Sequence, residues 1–237
     1  MQLFFNETIT ANDTEILFSK EESKHIVKVL RKGEGDFVFI TNGKGFLFKA
    51  EINLASINKC IAQIIETTFQ EKPKTHIHLA VAPTKMNDRY EWFLEKATEI
   101  GIQEITPIIC DHSERKIIKI ERYKKIIQSA TKQSLRFHMP IINEATSFKD
   151  FMKKHTNETL FIAHCEATKR TSLKKELLNI QSKNFRVLIG PEGDFSSKEI
   201  ELALTKSYIP VMLGETRLRT ETAAIVATHS IIYALES

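Results

Sequence analysis

Two short segments gather residue types that serve chemistry better than packing. The first, Ile189-Gly190-Pro191-Glu192-Gly193-Asp194, lies at the end of the strand-like run Arg186 to Ile189 and leads through Phe195 to Ser196. Two glycines within four residues let the backbone turn tightly and approach a ligand closely. A plain strand-to-helix turn uses the same residues as punctuation. The segment has neither the GxGxxG of a dinucleotide site nor the GK[ST] of a P-loop, so a nucleotide-like ligand would be held here in neither of the two common ways. The second, Leu213-Gly214-Glu215-Thr216-Arg217-Leu218-Arg219-Thr220-Glu221-Thr222-Ala223, follows another short apolar run and opens an apolar helix. Thr220 or Thr222 suits an N-cap, and Glu221 suits a first turn, where the helix dipole favours negative charge. The same dipole disfavours two arginines at that end, and this marks Arg219 as a functional residue. No metal-ligand spacing accompanies either segment.

The elements around these segments read as two regions. Ser19-Lys20-Glu21-Glu22 is a capping box opening a short helix through His25, Ile26, Val29 and Leu30, with Gly33 and Gly35 as its stop. Asp36 to Ile40, a turn at Asn42-Gly43-Lys44-Gly45, Phe46 to Ile52, and Ile61 to Ile65 alternate as strands, the grammar of a small β-barrel. Around Gln70-Glu71-Lys72-Pro73-Lys74 the chain turns polar, and the boundary is set there. Beyond it, strands alternate with helices: Ile77 to Ala82, a helix from Asn87 stopping at Gly101, Ile105 to Cys110, a basic helix from Ile118 to Leu135, Ile141-Ile142, a helix from Phe148 to Lys154, and Leu160 to His164. Arg186 to Ile189, a helix Ser197 to Lys206, Val211 to Leu213, and a helix Thr220 to Leu235 close the series. Repeated β-α units predict a mainly parallel sheet, with ligands beyond the carboxyl ends of its strands, where both segments lie.

The 237 residues carry a formal net charge of +4, compatible with RNA and equally with a small-molecule enzyme. Distribution is more telling: Lys24, Lys28, Arg31 and Lys32, then Arg115 to Lys125, then Lys132 and Arg136, form clusters suited to a phosphate backbone or to solvated helix faces. No apolar run spans a bilayer and Met1 to Glu7 lack a basic n-region, so a cytoplasmic, membrane-free protein is expected. Cys60, Cys110 and Cys165 lie far apart, which argues against disulfides and structural zinc.

Taken together, Ile189-Gly190-Pro191-Glu192-Gly193, Leu213-Gly214 and Leu218-Arg219-Thr220-Glu221-Thr222-Ala223 resemble the signature of the ribosomal RNA small-subunit methyltransferase E family. The resemblance extends over His25 to Arg31, Gly35-Asp36, Lys85, Glu95 to Gly101, Gln133-Ser134, Arg136 and Pro140, in the family's order. It implies an α/β protein with a PUA-like β-barrel for RNA at residues 1–70 and a SPOUT α/β-knot domain at 74–237, ending in a trefoil knot, and a homodimer. It also implies S-adenosylmethionine as cofactor, with Ile189, Gly190, Pro191, Glu192, Gly193, Leu213, Gly214, Leu218, Arg219, Thr222 and Ala223 around it and His164 nearby. The implied reaction is methylation of uridine N3 in the decoding region of 16S ribosomal RNA in the small subunit.

Such a reaction removes a weakly acidic imide proton and spreads negative charge onto flanking carbonyls, so it calls for a cation and a base. Arg219 is assigned to that charge or to orienting the base, and Glu221 to accepting the proton or positioning. His164 is either an alternative base or a satisfied structural histidine. Lys24, Lys28, Arg31, Lys85, Arg89, Arg115 and Arg136 are assigned to RNA phosphates. Two rivals remain: an RNA-binding assembly factor that has lost catalysis, and an α/β enzyme for another nucleotide. Cofactor binding and turnover separate them.

Overall fold

The computed structural model describes residues 1–166 and 169–235. They form two compact units, one of Met1–Lys72 with Thr131–Met139, the other of Pro73–Ala130 with the chain from Pro140 onward.

The first unit holds strands β1 (Leu3–Phe5) and β2 (Glu15–Leu17), helix α1 (Lys20–Lys24) continuing into a π-helical turn (His25–Val29), and strands β3 (Phe37–Thr41), β4 (Phe46–Ala55) and β5 (Cys60–Phe69). The sheet order is β1-β3-β4-β5-β2. β1 joins β3 in parallel and the other pairs are antiparallel. Along β4, Phe48, Ala50 and Ile52 are buried while Lys49 and Glu51 between them are not, the period of two that curls one face around a core with Ile26, Val38 and Ile40. Ser19 caps α1 by accepting the Glu22 N–H at 3.2 Å. The helix stops earlier than its glycines suggest: the Lys32 N–H reaches Ile26 O at 3.1 Å, and Arg31 itself takes the left-handed φ of 55°. Residues 131–139, expected in the second region, belong to this unit. The Gly45 N–H donates to Phe137 O at 2.8 Å and the Met139 N–H to Gly43 O at 2.9 Å. Gly45, with φ 101°, is required there, because an added Cβ would lie 2.6 Å from Gln70 O and from the His138 ring.

The second unit holds β6 (His76–Val81), α2 (Asn87–Ile100), β7 (Glu104–Ile109), α3 (Ile120–Gln133), β8 (Ile141–Ile142), β9 (Thr146–Ser147), α4 (Phe148–Phe151) and β10 (Thr159–Ala163). It continues with β11 (Thr171–Ser172), α5 (Leu173–Leu177), β12 (Asn184–Ile189), α6 (Ser197–Thr205), β13 (Ile209–Met212) and α7 (Thr220–Leu235). The sheet runs β11-β13-β10-β12-β6-β7-β8, with β9 also beside β7, and every pair is parallel. Central strands β6 and β12 are buried almost throughout, as strands covered on both faces must be. β13 lies between β10 and β11, which are consecutive in sequence. β11 and α5 have no counterpart in the sequence pattern, being too short to show a period. No helix among the described residues is long and apolar enough to cross a membrane.

The amino ends of the strands carry a charged cluster. The His76 ring lies 3.3 Å from Glu104 and 3.4 Å from Glu158, and Arg186 meets Glu158 at 2.7 Å. Asn143 Nδ2 donates to Glu104 at 2.7 Å. Hydrogen bonds to the two carboxylates push His76 up to about 9, and the bond from His76 chiefly holds Glu104 down at about 2. Burial drives the neighbouring His78 down to about 4, so its 3.6 Å approach to Glu104 is no ion pair at neutral pH. His78 Nε2 instead shares a 2.7 Å hydrogen bond with Thr106 Oγ1.

Candidate active site

At the opposite, carboxyl ends of the sheet, the loops after β10, β12 and β13 surround a cavity of about 340 Å³, within the usual range for small-molecule sites. Three adjacent parallel strands therefore deliver one loop each to the same crevice.

The loop after β12 is held on all sides. Asp194, at φ 65°, accepts the Phe195 N–H on Oδ1 at 2.8 Å and the Cys165 N–H on Oδ2 at 2.6 Å, tying this loop to the one after β10. Glu192 Oε1 accepts the Lys85 N–H at 2.9 Å. Thr220, at the start of α7, donates to Gly190 O at 3.0 Å. Glu199 closes a capping box with Ser196 and also accepts the Asp111 N–H, fixing the start of α6. His112 Nδ1 approaches the carbonyls of Gly193 and Asp194 at 3.0 and 3.1 Å. The glycine at 190 is steric: a Cβ would meet the Phe195 ring at 3.1 Å.

The loop after β13 is built in the opposite way. Residues 214–218 make no backbone–backbone hydrogen bond among the described residues, and a Cβ added to Gly214 would meet nothing within 4 Å. Its amides and carbonyls remain available to a ligand.

Of the candidate cofactor residues, His164, Ile189, Gly190, Pro191, Glu192, Leu213, Gly214, Leu218, Arg219 and Ala223 line the cavity. Gly193 and Thr222 do not, and neither does Glu221, the candidate proton acceptor. An added Cβ on Gly193 would lie 3.1 Å from His112, so that residue backs onto the neighbouring loop. Thr220 and Ala223, three apart on α7, share the face that lines the cavity, and the helical turn carries Glu221 and Thr222 away from it. Glu221 is buried, with Oε1 4.0 Å from Arg89 Nε and Oε2 without a partner. His164 is 4% exposed, neither ring nitrogen has a partner, and burial lowers its pKa. Asp194, Thr216 and Arg217, members of the two segments with no individual role assigned from sequence, also line the cavity, as does Arg170, which lies outside both segments. Arg170 sits in a segment without a recognisable period, and its position gave no signal.

A model of the RNA methyltransferase domain matches residues 70–232, and one of the RNA methyltransferase PUA domain matches residues 18–65. The ribosomal RNA small subunit methyltransferase E of Rickettsia conorii is 31% identical over 231 residues, covering 97% of this chain and 94% of that protein. The chain belongs to the ribosomal RNA small subunit methyltransferase E family. Among solved structures, one described as a probable rRNA methyltransferase from Porphyromonas gingivalis superposes with a TM-score of 0.89 at 36% identity, covering 99% of this chain and 98% of that one. A methyltransferase structure from Legionella pneumophila, solved with the cofactor SAM bound, gives a TM-score of 0.85 at 28% identity over 98% and 97% of the two chains. The curled sheet of the first unit is accordingly the PUA-like part of a methyltransferase E fold.

In this family member the candidate RNA contacts differ in how committed they are. Lys24, Lys28 and Arg31 are exposed in the first unit. In the second, Lys85 Nζ pairs with Glu114 at 2.8 Å, and Arg115 donates to Thr84 O at 3.1 Å and to Lys85 O at 2.9 Å. Arg89 faces Glu221. Arg136, in the first unit, is half-buried, and its N–H donates to Thr131 O at 3.0 Å. Among the described residues no three His, Cys, Asp or Glu side chains are grouped as a metal site.

Proposed function

We propose that the protein methylates N3 of a uridine in the decoding region of 16S ribosomal RNA, using S-adenosylmethionine. The observation that carries this reading is the cavity at the carboxyl ends of β10, β12 and β13, with one rigid wall, one wall of unpaired backbone and arginines at its rim.

The residues fit the cofactor. Ile189, Val211, Leu213, Leu218 and Ala223 supply apolar walls for a purine, and the free backbone of residues 214–218 supplies donors and acceptors for its edge. The open space at Gly214 admits a ligand that any side chain there would crowd. Gly190, Pro191, Glu192 and His164 complete the holding set. When bound, S-adenosylmethionine supplies an electrophilic methyl group on a sulfonium.

The chain's own residues handle charge and position. Arg219, exposed at the cavity rim, stabilises the negative charge that develops on the uracil carbonyls as the imide proton passes to solvent water there and the methyl group moves from the sulfonium to N3. Glu221 lies off the cavity and positions Arg89. In the first unit Lys24, Lys28, Arg31 and Arg136 take up RNA phosphates, and in the second Lys85, Arg89 and Arg115 do so, the exposed Lys85–Glu114 pair being weak enough to exchange for a phosphate. The SPOUT trefoil knot rests on the family resemblance, and the all-parallel sheet with β13 between β10 and β11 is compatible with it. Exposed Trp92 and Tyr233, on the mutually packed α2 and α7, support a homodimer. A ribosomal substrate goes with a cytoplasmic protein.

The test is methyl transfer from labelled S-adenosylmethionine to small subunits and to free rRNA from a strain lacking the gene, with the product nucleoside identified by mass spectrometry. N3-methyluridine at one site is the expected result. Cofactor binding without transfer to either substrate would overturn it in favour of a non-catalytic assembly factor.

A further inference from the structure

Three arginines line the cavity, and they differ in exposure. Arg217 and Arg219 are exposed, whereas Arg170 is half-buried. Arg170 Nε is fully buried and without a hydrogen-bond partner, and Nη1 donates to the carbonyl of His164. No ion pair joins Arg170 to a carboxylate among the described residues. Beside it, the His164 ring is 4% exposed with both nitrogens unpartnered. A buried guanidinium N–H without an acceptor and a buried imidazole without a hydrogen bond are both costly, and such groups persist where a ligand brings the missing partner. The two carboxylates of the same cavity are already occupied: Glu192 by the Lys85 N–H, and Asp194 by the amides of Cys165 and Phe195. The acceptor that the buried Nε lacks is one that a ligand in the cavity can bring.

We infer that Arg170, with His164, is a carboxylate-recognition subsite that holds the amino-acid end of S-adenosylmethionine. The inference rests on the methyltransferase reading. That cofactor carries two cationic centres, the sulfonium and the ammonium, and one carboxylate; in a cavity lined by arginines, only the carboxylate is attracted to a guanidinium, which binds it in a planar, charge-assisted fork. Exposed Arg217 suits a hydrated RNA phosphate and exposed Arg219 the uracil carbonyls, while half-buried Arg170 suits a group enclosed in the cavity.

Calorimetric titration of the wild type, Arg170→Met and Arg170→Lys with S-adenosylmethionine and with its decarboxylated analogue tests this, with binding of a small-subunit rRNA fragment measured in parallel. The wild type should prefer the carboxylated ligand by about 10- to 100-fold, the range for a hydrogen bond to a charged group. Arg170→Met should bind both ligands alike, at the weaker level, and Arg170→Lys should keep part of the preference. If Arg170→Met does not fold, the wild-type preference and the lysine variant still decide. Equal affinities in the wild type, or a methionine variant that loses both ligands in the same proportion, would overturn the subsite and leave the methyltransferase reading standing. Unchanged cofactor affinity with weakened RNA binding would also overturn it and give Arg170 to a phosphate. A wild type that binds no S-adenosylmethionine would sink both readings.

Discussion

At the amino ends of β6, β7, β10 and β12, His76, Glu104, Glu158 and Arg186 face one another within 3.4 Å, while at the carboxyl ends of β10, β12 and β13 three arginines line a cavity without a carboxylate pair among the described residues. The same sheet thus holds charge that is already matched and charge that awaits a match. Matched charge contributes to folding and is lost with pH; unmatched charge weakens folding slightly and is available for binding. The comparison predicts that mutations at one end leave the other end's property intact.

The largest effect is expected from Glu158→Ala, which leaves Arg186, with only 10% of its side chain exposed, without its carboxylate. Unfolding free energy measured with denaturant should fall by about 3 kcal/mol or more, while S-adenosylmethionine affinity of the folded protein stays the same. A parallel loss of affinity would break the separation of the two ends. Arg219→Ala should do the reverse, lowering kcat by roughly a hundredfold or more, about 2.7–4 kcal/mol of transition-state stabilisation, with an unchanged melting temperature. A loss of only a few fold would take Arg219 out of the charge-stabilising role.

The two glycines of the cavity sharpen the comparison further. Gly190→Ala drives a methyl against Phe195 and should cost about 1–3 kcal/mol in stability as well as cofactor affinity. Gly214→Ala meets no atom of the chain within 4 Å, so calorimetry should show weaker cofactor binding with stability unchanged.

The smallest effect is that of pH on the matched end. His76 is raised from 6.5 to about 9, so its contribution is complete below pH 6.5 and disappears as the pH rises through about 9. Glu104, lowered from 4.5 to about 2, contributes above pH 4.5 and loses this as the pH falls toward 2. The stability gap between wild type and His76→Gln should thus be widest from pH 4.5 to 6.5 and close near pH 9. With 39% of the His76 side chain exposed, solvent screening keeps it under about 1 kcal/mol. A gap that does not change between pH 6 and 10 would remove the histidine–carboxylate coupling.

The carboxyl end was largely legible in the sequence and the amino end was not. Gly190 to Asp194 and Leu213 to Ala223 are contiguous, so glycine spacing and the misplaced arginines expose them at once. The amino-end cluster is assembled across strands: register sets Arg186 beside His78 and His78 beside Glu104, neighbours 108 and 26 residues apart in the chain. Arg170 was missed for a related reason, because its role depends on burial against His164. Thr222, carried over from the family resemblance as a cofactor contact, and Glu221, assigned to accepting the proton or positioning, both lie off the cavity, because helix phase turns them away from the face of Thr220 and Ala223 and a linear motif carries no phase.

The position of β13 between β10 and β11 also orders events in time. As the chain emerges from the ribosome, β10 and β11 are made first, and the strand that lies between them arrives only afterwards. Until it inserts, the wall formed by residues 213–219 has no place to stand, and there is no cavity. Such late, long-range parallel pairing makes for slow folding. A newly made molecule therefore passes through a period in which most of its sheet exists and its chemistry does not, and ligand that stabilises the completed cavity acts on the final step of maturation alone.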